Sequence, residues 1–309
     1  MIGAVDIGGT KIAVGMVDEN GQVLSKRECP TEADRGYANG IERITAMLRE
    51  TARKAGVEIS GIGIGSTGPL DALTGEFGDV DFLTGWQGKN PVKDLGGIFH
   101  VRVAMENDGD ASALAEAGWG AGKGKSRLIY VTVGTGIGGG VVLDGKLYRG
   151  VDNAHPEVGH QVIDSSGPPC SCGFRGCWEA LAAGPAMAAW LLDHAPVTYP
   201  HREKLSAKVI CDLARQGDPL AQSAVEREAH YLGLGLANLI TLFTPDGIVL
   251  GGSVMISADL FLAGVRKTIA QGCRFVPYEK TKLTLASLGE DANLIGAARV
   301  WHHRYRQAA

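Results

Sequence analysis

His160, Cys170, Cys172 and Cys177 fall in one short polar stretch, residues 157–179, that is rich in glycine and proline. One imidazole and three thiolates are the donor set of a tetrahedral Zn²⁺ site, and a tight Gly/Pro loop can wrap a small ion. Ordinary buried thiols or a disulfide are the other reading, but three cysteines this close cannot all pair with one another, and the odd one would be a liability. A site with four protein ligands is closed, so the ion's work would be to hold the loop in one shape rather than to activate water. Two carboxylates, Glu157 and Glu179, bracket the ligands. Each alone reads as a surface charge or a helix N-terminal charge, but zinc would pin both near His160. The second ring nitrogen of His160 needs a partner, and a sugar hydroxyl could be that partner.

Three glycine clusters carry a second kind of chemistry: Asp6-Ile7-Gly8-Gly9-Thr10-Lys11, Gly134-Thr135-Gly136-Ile137-Gly138-Gly139-Gly140, and Gly251-Gly252-Ser253. Their backbone N–H groups suit phosphate oxygens. Gly134, Gly136 and Gly139 satisfy G-x-G-x-x-G, but a strand and an Asp144-Gly145 hairpin follow instead of the helix a dinucleotide site requires. Gly124-Lys125-Ser126 ends like a P-loop, yet Trp119 stands where its first glycine belongs and a strand follows. Each turn alone is a plain hairpin. Two of them heading similar units, with the turn at 251–253, point to a nucleotide in a cleft between two domains. Asp6 adds a carboxylate able to reach Mg²⁺ directly or through water. Asn107 and Asp108 end one strand and open a helix; a helix cap accounts for the pair, and the helix dipole favours the ionised acid there.

The elements that must position these residues follow from periodicity. Residues 2–7, a glycine turn, 12–17, a hairpin at Asn20-Gly21 and a strand from Val23 predict a three-stranded antiparallel unit. Residues 128–133, the cluster at 134–140, 141–143, the Asp144-Gly145 turn and 146–148 predict a second unit of the same plan. Helical spacing marks 38–55, 111–117, 186–193, 207–215, 219–243 and 293–304, and apolar runs mark buried strands at 62–65, 101–105 and 248–250. The chain thus reads as α/β with two domains. The smaller is residues 1–110 with the C-terminal segment 293–309 returning to it, and the larger is 111–292 with the cysteine loop.

The 309 residues exceed one typical core, and 45% hydrophobic with 21% charged residues describes a well-packed globular protein. A net charge of −4 without basic runs or aromatic-basic interleaving argues against nucleic acid and anionic membranes. The N-terminus opens on a strand pattern without a basic n-region, and no apolar run approaches about 18 residues, so neither export nor membrane insertion is expected. Scattered Cys29, Cys211 and Cys273 fit a reducing cytoplasm.

Together the phosphate loops at 6–11 and 134–140, Glu106-Asn107-Asp108, and the pattern from Glu157 and His160 through Cys170, Cys172 and Cys177 to Glu179 resemble the ROK family of bacterial sugar kinases over essentially the whole chain. The resemblance implies the two-domain actin-like ATPase (ribonuclease H-like) fold with duplicated βββ units and an interdomain cleft. It implies an ATP-dependent kinase acting on the 6-OH of glucose or a related hexose. Asp108 would be the general base, and Gly68, Asn107, Glu157, His160 and Glu179 would hold the sugar. Asp6, Gly8, Gly9, Thr10, Lys11, Gly134, Thr135, Gly136, Gly251 and Gly252 would serve ATP and Mg²⁺, the Cys/His site would hold structural zinc, and a homodimer is expected. An N-acetylmannosamine or N-acetylglucosamine kinase is the alternative within the class. A sugar-responsive regulator would carry a helix-turn-helix ahead of the first phosphate loop, whereas Asp6 is the sixth residue here. A silent sugar-binding protein would be expected to lose Asp108 or the loop glycines. The chain departs from the pattern in Asp81-Phe82-Leu83-Thr84-Gly85-Trp86, where Phe82 replaces a sugar-contacting Asn, and in His155-Pro156, where small residues are usual.

Overall fold

The structure, a computed structural model, describes residues 1–306. In chain order it runs β1 (Ile2–Ile7), β2 (Lys11–Val17), β3 (Val23–Pro30), α1 (Gly36–Ala55), β4 (Gly61–Ser66), the short β5 (Leu70–Asp71) and β6 (Glu76–Phe77), α2 (Pro91–Phe99), β7 (Val103–Asn107) and α3 (Asp108–Gly118). It continues with β8 (Arg127–Val133), β9 (Ile137–Leu143), β10 (Lys146–Leu147), α4 (Trp178–Ala182), α5 (Gly184–His194), α6 (Ala207–Arg215), α7 (Pro219–Phe243), β11 (Gly247–Gly251), α8 (Ala258–Gly272), β12 (Lys282–Leu285) and α9 (Ala292–Tyr305). Two five-stranded sheets have the orders β3-β2-β1-β4-β7 and β10-β9-β8-β11-β12.

In the first sheet β2 pairs antiparallel with β1 and β3, while β1, β4 and β7 are parallel. The parallel register sets Ile7 beside Ser66 and Ser66 beside Asn107. The C-terminal ends of three strands therefore finish in one row, the edge where open α/β sheets bind ligands. One face carries the large side chains Val5, Ile7, Ile62, Ile64 and Met105, packed on Ile44 and Leu48 of α1. The other carries Ala4 and Ala13 against Leu294, Ala297 and Ala298 of α9. Helix α1 buries Ile41, Ile44, Leu48 and Ala52 at helical spacing and stops at Gly56, whose left-handed φ of 67° turns its N–H back to the Ala52 and Arg53 carbonyls.

The chain separates into two compact units, 1–125 with 140–156 and 286–309, and 126–139 with 157–285. A boundary at residue 110 differs from this division, and the first unit, expected to be the smaller, holds the larger share. The reason is tertiary: α3 lies so close to α9 that a Cβ at Gly296 would meet the Ala111 backbone at 2.9 Å. Residues 307–309 of the expected C-terminal segment lie outside the described residues.

Helices α6 and α7 have the limits their spacing predicts, because Ser206 and Asp218 cap them and Pro219 opens the second. Strand β7 lies two residues later than expected, since His100 at φ 56° ends α2 and the chain must turn before it can pair. Helix α3 starts at Asp108 rather than 111, with Asn107 as its cap. Gly138, Gly139 and Gly140 belong to β9, so the second glycine turn is only residues 134–136. Helices α2, α4 and α8 and strand β12 were not expected.

Glu228 of α7 is fully buried with neither carboxyl oxygen hydrogen-bonded. Burial pushes its pKa well up, and Arg227 only partly opposes this. Above the unfolded-state pKa the native protein holds a proton that the unfolded chain has released, so stability falls as pH rises. Glu228→Met is expected to raise stability by about 1–3 kcal/mol at pH 8 and by much less at pH 4. Thermal melting of both proteins at the two pH values checks this, and an equal effect at both would contradict it.

Candidate active site

At the row of strand ends in the first unit, Asp6 is the penultimate residue of β1, Gly68 lies two residues beyond β4, and Asn107 and Asp108 join β7 to α3. Asn107 Oδ1 accepts the Gly109 N–H at 2.8 Å, so it does cap the helix, while its Nδ2 faces Gly68, where a Cβ would lie 3.4 Å away. Asp108 is exposed, and its Oδ1 also accepts the Gly109 N–H at 2.8 Å. Asp6 is 9% exposed and accepts from Asn293 Nδ2 at 3.1 Å. Burial raises its pKa to about 6; the Asn293 bond opposes the rise, the charge of Asp108 adds to it, and Lys11 opposes it weakly. A carboxylate whose ionisation is held back by burial and by a neighbouring acid gains most from a cation.

The turn beyond Asp6 is closed by the Gly8 N–H donating to the Lys11 carbonyl at 2.9 Å, and Thr31 Oγ1 donates to the Gly8 carbonyl at 2.6 Å. Thr10 and Lys11 are exposed, and Lys11 Nζ pairs with Glu28 at 3.0 Å. Gly9 lies under Phe82, whose Cβ would be 2.7 Å from a Cβ at that position. Phe82 is 69% exposed, while Val80, Leu83 and Trp86 of the same loop are buried. The loop is thus anchored firmly and still presents an aromatic ring to solvent beside the glycine turn.

In the second unit the Gly134 N–H donates to the Gly136 carbonyl at 2.9 Å, and the Gly184 N–H donates to the Gly134 carbonyl at 2.8 Å. Glu179 Oε2 accepts the Ile137 N–H at 2.8 Å and passes so close to Gly136 that a Cβ there would lie 2.3 Å from it. Gly134 and Thr135 open onto a cavity of about 510 Å³ walled by Pro185 and Ala188 of α5, Leu205 and Ser206 ahead of α6, and Val254. Gly252, with φ 92° and Val133 O 2.3 Å from a Cβ position, turns the chain from β11 toward that wall. No other residue fits there without displacing backbone.

The metal-type residues do converge. His160 Nδ1 lies 3.4 Å from Cys170 Sγ, Cys172 Sγ lies 3.5 Å from Cys177 Sγ, and all four donor atoms fall within 4.8 Å of one another. Zn–S bonds of about 2.3 Å in a tetrahedron put ligand atoms about 3.8 Å apart, so the cluster has the size zinc requires. Glu157 is exposed, and its carbonyl accepts the His160 N–H at 3.1 Å.

A model of the ROK family matches residues 2–304. The chain belongs to the ROK family. Among its relatives a glucokinase of Thermotoga maritima is 33% identical, with 97% of this chain and 96% of that protein covered. An N-acetylmannosamine kinase of Escherichia coli O157:H7 is 34% identical over 96% of each. The crystal structure of a ROK family glucokinase from Streptomyces griseus in complex with glucose and AMPPNP matches with a TM-score of 0.79 and 32% identity, covering 96% of this chain and 97% of that one. The fold is that of the actin-like ATPases to which ROK sugar kinases belong.

Against this family background the structure brings Asp6, Gly68, Asn107 and Asp108 to one sheet edge, and Gly134 and Thr135 to one cavity. Glu179 is tied to the second glycine turn as well as following the cysteine loop. The cavity walls from α5 and α6 were not among the expected residues. Gly184-Pro185 and Ser206 signal helix starts, but nothing local says that the two starts face one space.

Proposed function

We propose that this protein is an ATP-dependent hexose kinase that transfers the γ-phosphoryl group of MgATP to the 6-OH of glucose or a closely related sugar. The observation that carries this reading is Asp108, an exposed carboxylate at the mouth of a parallel sheet, close enough to Asp6 to act on its ionisation. Asp108 accepts the hydroxyl proton as the sugar oxygen bonds to the γ-phosphorus and the bond to the β,γ-bridging oxygen breaks, releasing ADP. Asp6 is the residue suited to hold the Mg²⁺ that accompanies ATP, or its water, and the ion would there neutralise charge on the phosphates. With Gly8 and Gly134 closing the two turns, the N–H groups of Gly9 and Thr10 in one unit and of Thr135 and Gly136 in the other would donate to phosphate oxygens, and the cavity beside Gly134 and Thr135 would take the nucleoside. Lys11 adds positive charge nearby, and Gly251 and Gly252 shape the wall. Asn107, Glu157, His160 and Glu179 offer donors and acceptors to the remaining hydroxyls, and Gly68 leaves room for them.

His160, Cys170, Cys172 and Cys177 hold a structural Zn²⁺ in this reading, supported by their donor types and mutual distances. None of the six cysteines is paired in a disulfide, which suits a reducing cytoplasm. Among the described residues no helix is long and apolar enough to cross a membrane. A homodimer, as the family resemblance implies, belongs to the same proposal. N-acetylmannosamine is the second candidate substrate, because a relative of that specificity is as similar as the glucokinase and Phe82 alters a position where the family contacts sugar. An ADP-release assay with MgATP across glucose, mannose, fructose, allose, N-acetylglucosamine and N-acetylmannosamine tests the proposal. Turnover on glucose or a near relative is the expected result. Turnover confined to N-acetylmannosamine would select the second substrate, and none on any sugar would remove the kinase reading.

A further inference from the structure

The junction that carries Asp108 is braced on both sides by a buried ionic cluster. Glu106, the residue before Asn107 in β7, is 5% exposed, and Asp110, in the first turn of α3, is fully buried. One guanidinium serves both, with Arg149 Nη2 on Glu106 Oε2 and Nη1 on Asp110 Oδ2. His155 Nδ1 lies 2.7 Å from the same Asp110 oxygen, and Arg304 Nη2 lies 3.4 Å from Glu106 Oε1. Asp110 Oδ1 has no hydrogen-bond partner and presses on Gly140, where a Cβ would come within 2.8 Å of it. Burial raises the pKa of Glu106 and the Arg149 charge opposes the rise. Burial works against the charge on Arg149, but Glu106 and Asp110 outweigh it and hold its pKa above the ordinary value.

Buried ion pairs are seldom better for stability than apolar side chains of the same volume. What a rigid guanidinium fork supplies instead is position. Here its two arms grip residues 106 and 110, so the segment between them has little freedom to shift along or away from the sheet. We propose that Arg149 is a positioning residue for Asp108, fixing the β7-to-α3 junction through Glu106 and Asp110, with His155 as a second tie on Asp110. The inference rests on the kinase reading, in which Asp108 is the base.

Arg149→Met, Arg149→Lys and His155→Gln, assayed for kcat, for both KM values and across pH, test it. Arg149→Met is expected to lower kcat by roughly 10²-fold, the cost of a base displaced by about 1 Å, with the KM for MgATP unchanged. It also takes the guanidinium from Glu106 and Asp110, each two residues from Asp108, and leaves Arg304 on Glu106, a charged His155 on Asp110, and His303 within reach of the same cluster. The acid limb of kcat/KM then moves to higher pH. Arg149→Lys keeps the charge without the fork, so it should hold the acid limb in place and recover only part of kcat. His155→Gln should lower kcat less than either. If Arg149→Met does not fold, Asp110→Asn is read instead: kcat falls and the acid limb moves to lower pH, because one negative charge is gone while Arg149 stays. Variants that melt earlier but keep the parental kcat and acid limb would make Arg149 a structural residue only and overturn the proposal. A parent inactive on every sugar fails at an earlier step, removing the base that Arg149 would position.

Discussion

Asp108→Asn is expected to lower sugar phosphorylation by roughly 10²–10⁴-fold while the protein still folds and binds both sugar and MgATP. Asparagine matches the acid in shape but cannot take the hydroxyl proton, so the loss should fall on kcat. The substitution also preserves the hydrogen bonding at the start of α3. The helix cap belongs to Asn107, and an asparagine Oδ1 can still accept the Gly109 N–H that Asp108 accepts at 2.8 Å. The lost attraction of an exposed acid to the N-terminus of α3 costs about 0.3–1 kcal/mol. A second consequence has a definite sign. Asp108 is one of the groups that raise the pKa of Asp6 toward about 6, so its neutralisation lets Asp6 ionise at lower pH. Affinity for MgATP, followed by calorimetry between pH 5 and pH 7, should therefore hold up further into acid in the variant than in the parent. Steady-state kinetics beside calorimetry separates these effects. A variant that keeps most of the parental kcat would remove Asp108 as base, and one that no longer binds sugar would make it a ligand first.

The parts of this site that were legible in the sequence are those fixed by local chemistry. Four metal-type donor residues on one loop can be read together whatever the fold, and their donor atoms do converge. Caps and a helix-opening proline give the limits of α6 and α7. What was not legible depends on residues brought together from far apart. Glycines 138–140 read as loop, yet they lie in β9, and at Gly140 the demand is for a small residue under α3 rather than for a turn. Glu106, Asp110 and Arg149 are unremarkable singly, and only the fold gathers them on one guanidinium. Helix α8 is a different case, because Phe261, Val265, Thr268 and Ile269 are buried at helical spacing and the signal was present in the chain. Segment 140–156 belongs to the first unit, where Gly140 lies against Asp110 and Ala113 and Arg149 reaches Glu106 and Asp110, contacts that no boundary drawn from composition would anticipate.

Removal of zinc is expected to weaken sugar use at least as broadly as loss of any single sugar ligand, because hydrogen bonds to α7 and across the base of the loop hold its ends while its tip, 165–175, has little apolar burial. Phe174 is 69% exposed and Val162 43% exposed, so apolar burial contributes little. Backbone bonds such as Trp178 N–H to the Gln161 carbonyl at 2.8 Å and Ile163 N–H to the Gly176 carbonyl at 2.9 Å join the base of the loop, whereas at its tip Cys170 N–H to the Phe174 carbonyl at 2.8 Å closes only a short turn. Cys177 directly precedes α4, which carries Glu179, and Glu179 in turn receives the Ile137 N–H beside the second glycine turn. At the other end His160 closes the short helical turn that follows Glu157. Loosening the loop therefore releases Glu157, His160 and Glu179 together, and displacements of about 1 Å at such groups cost on the order of 10²-fold in kcat/KM for sugar. Cys172→Ser is the variant of choice, since Cys172 is exposed and its loss removes a ligand without opening a cavity, whereas Cys177 is fully buried. The protein as purified should hold one zinc per chain and show tetrahedral visible bands when cobalt replaces it. Cys172→Ser should lose the metal and exchange amide hydrogens faster across 161–177. Metal-free protein that resists chelators, keeps its KM for sugar and shows a bond between two of these cysteines would overturn the metal assignment, because the same residues would then be cross-linked by a disulfide.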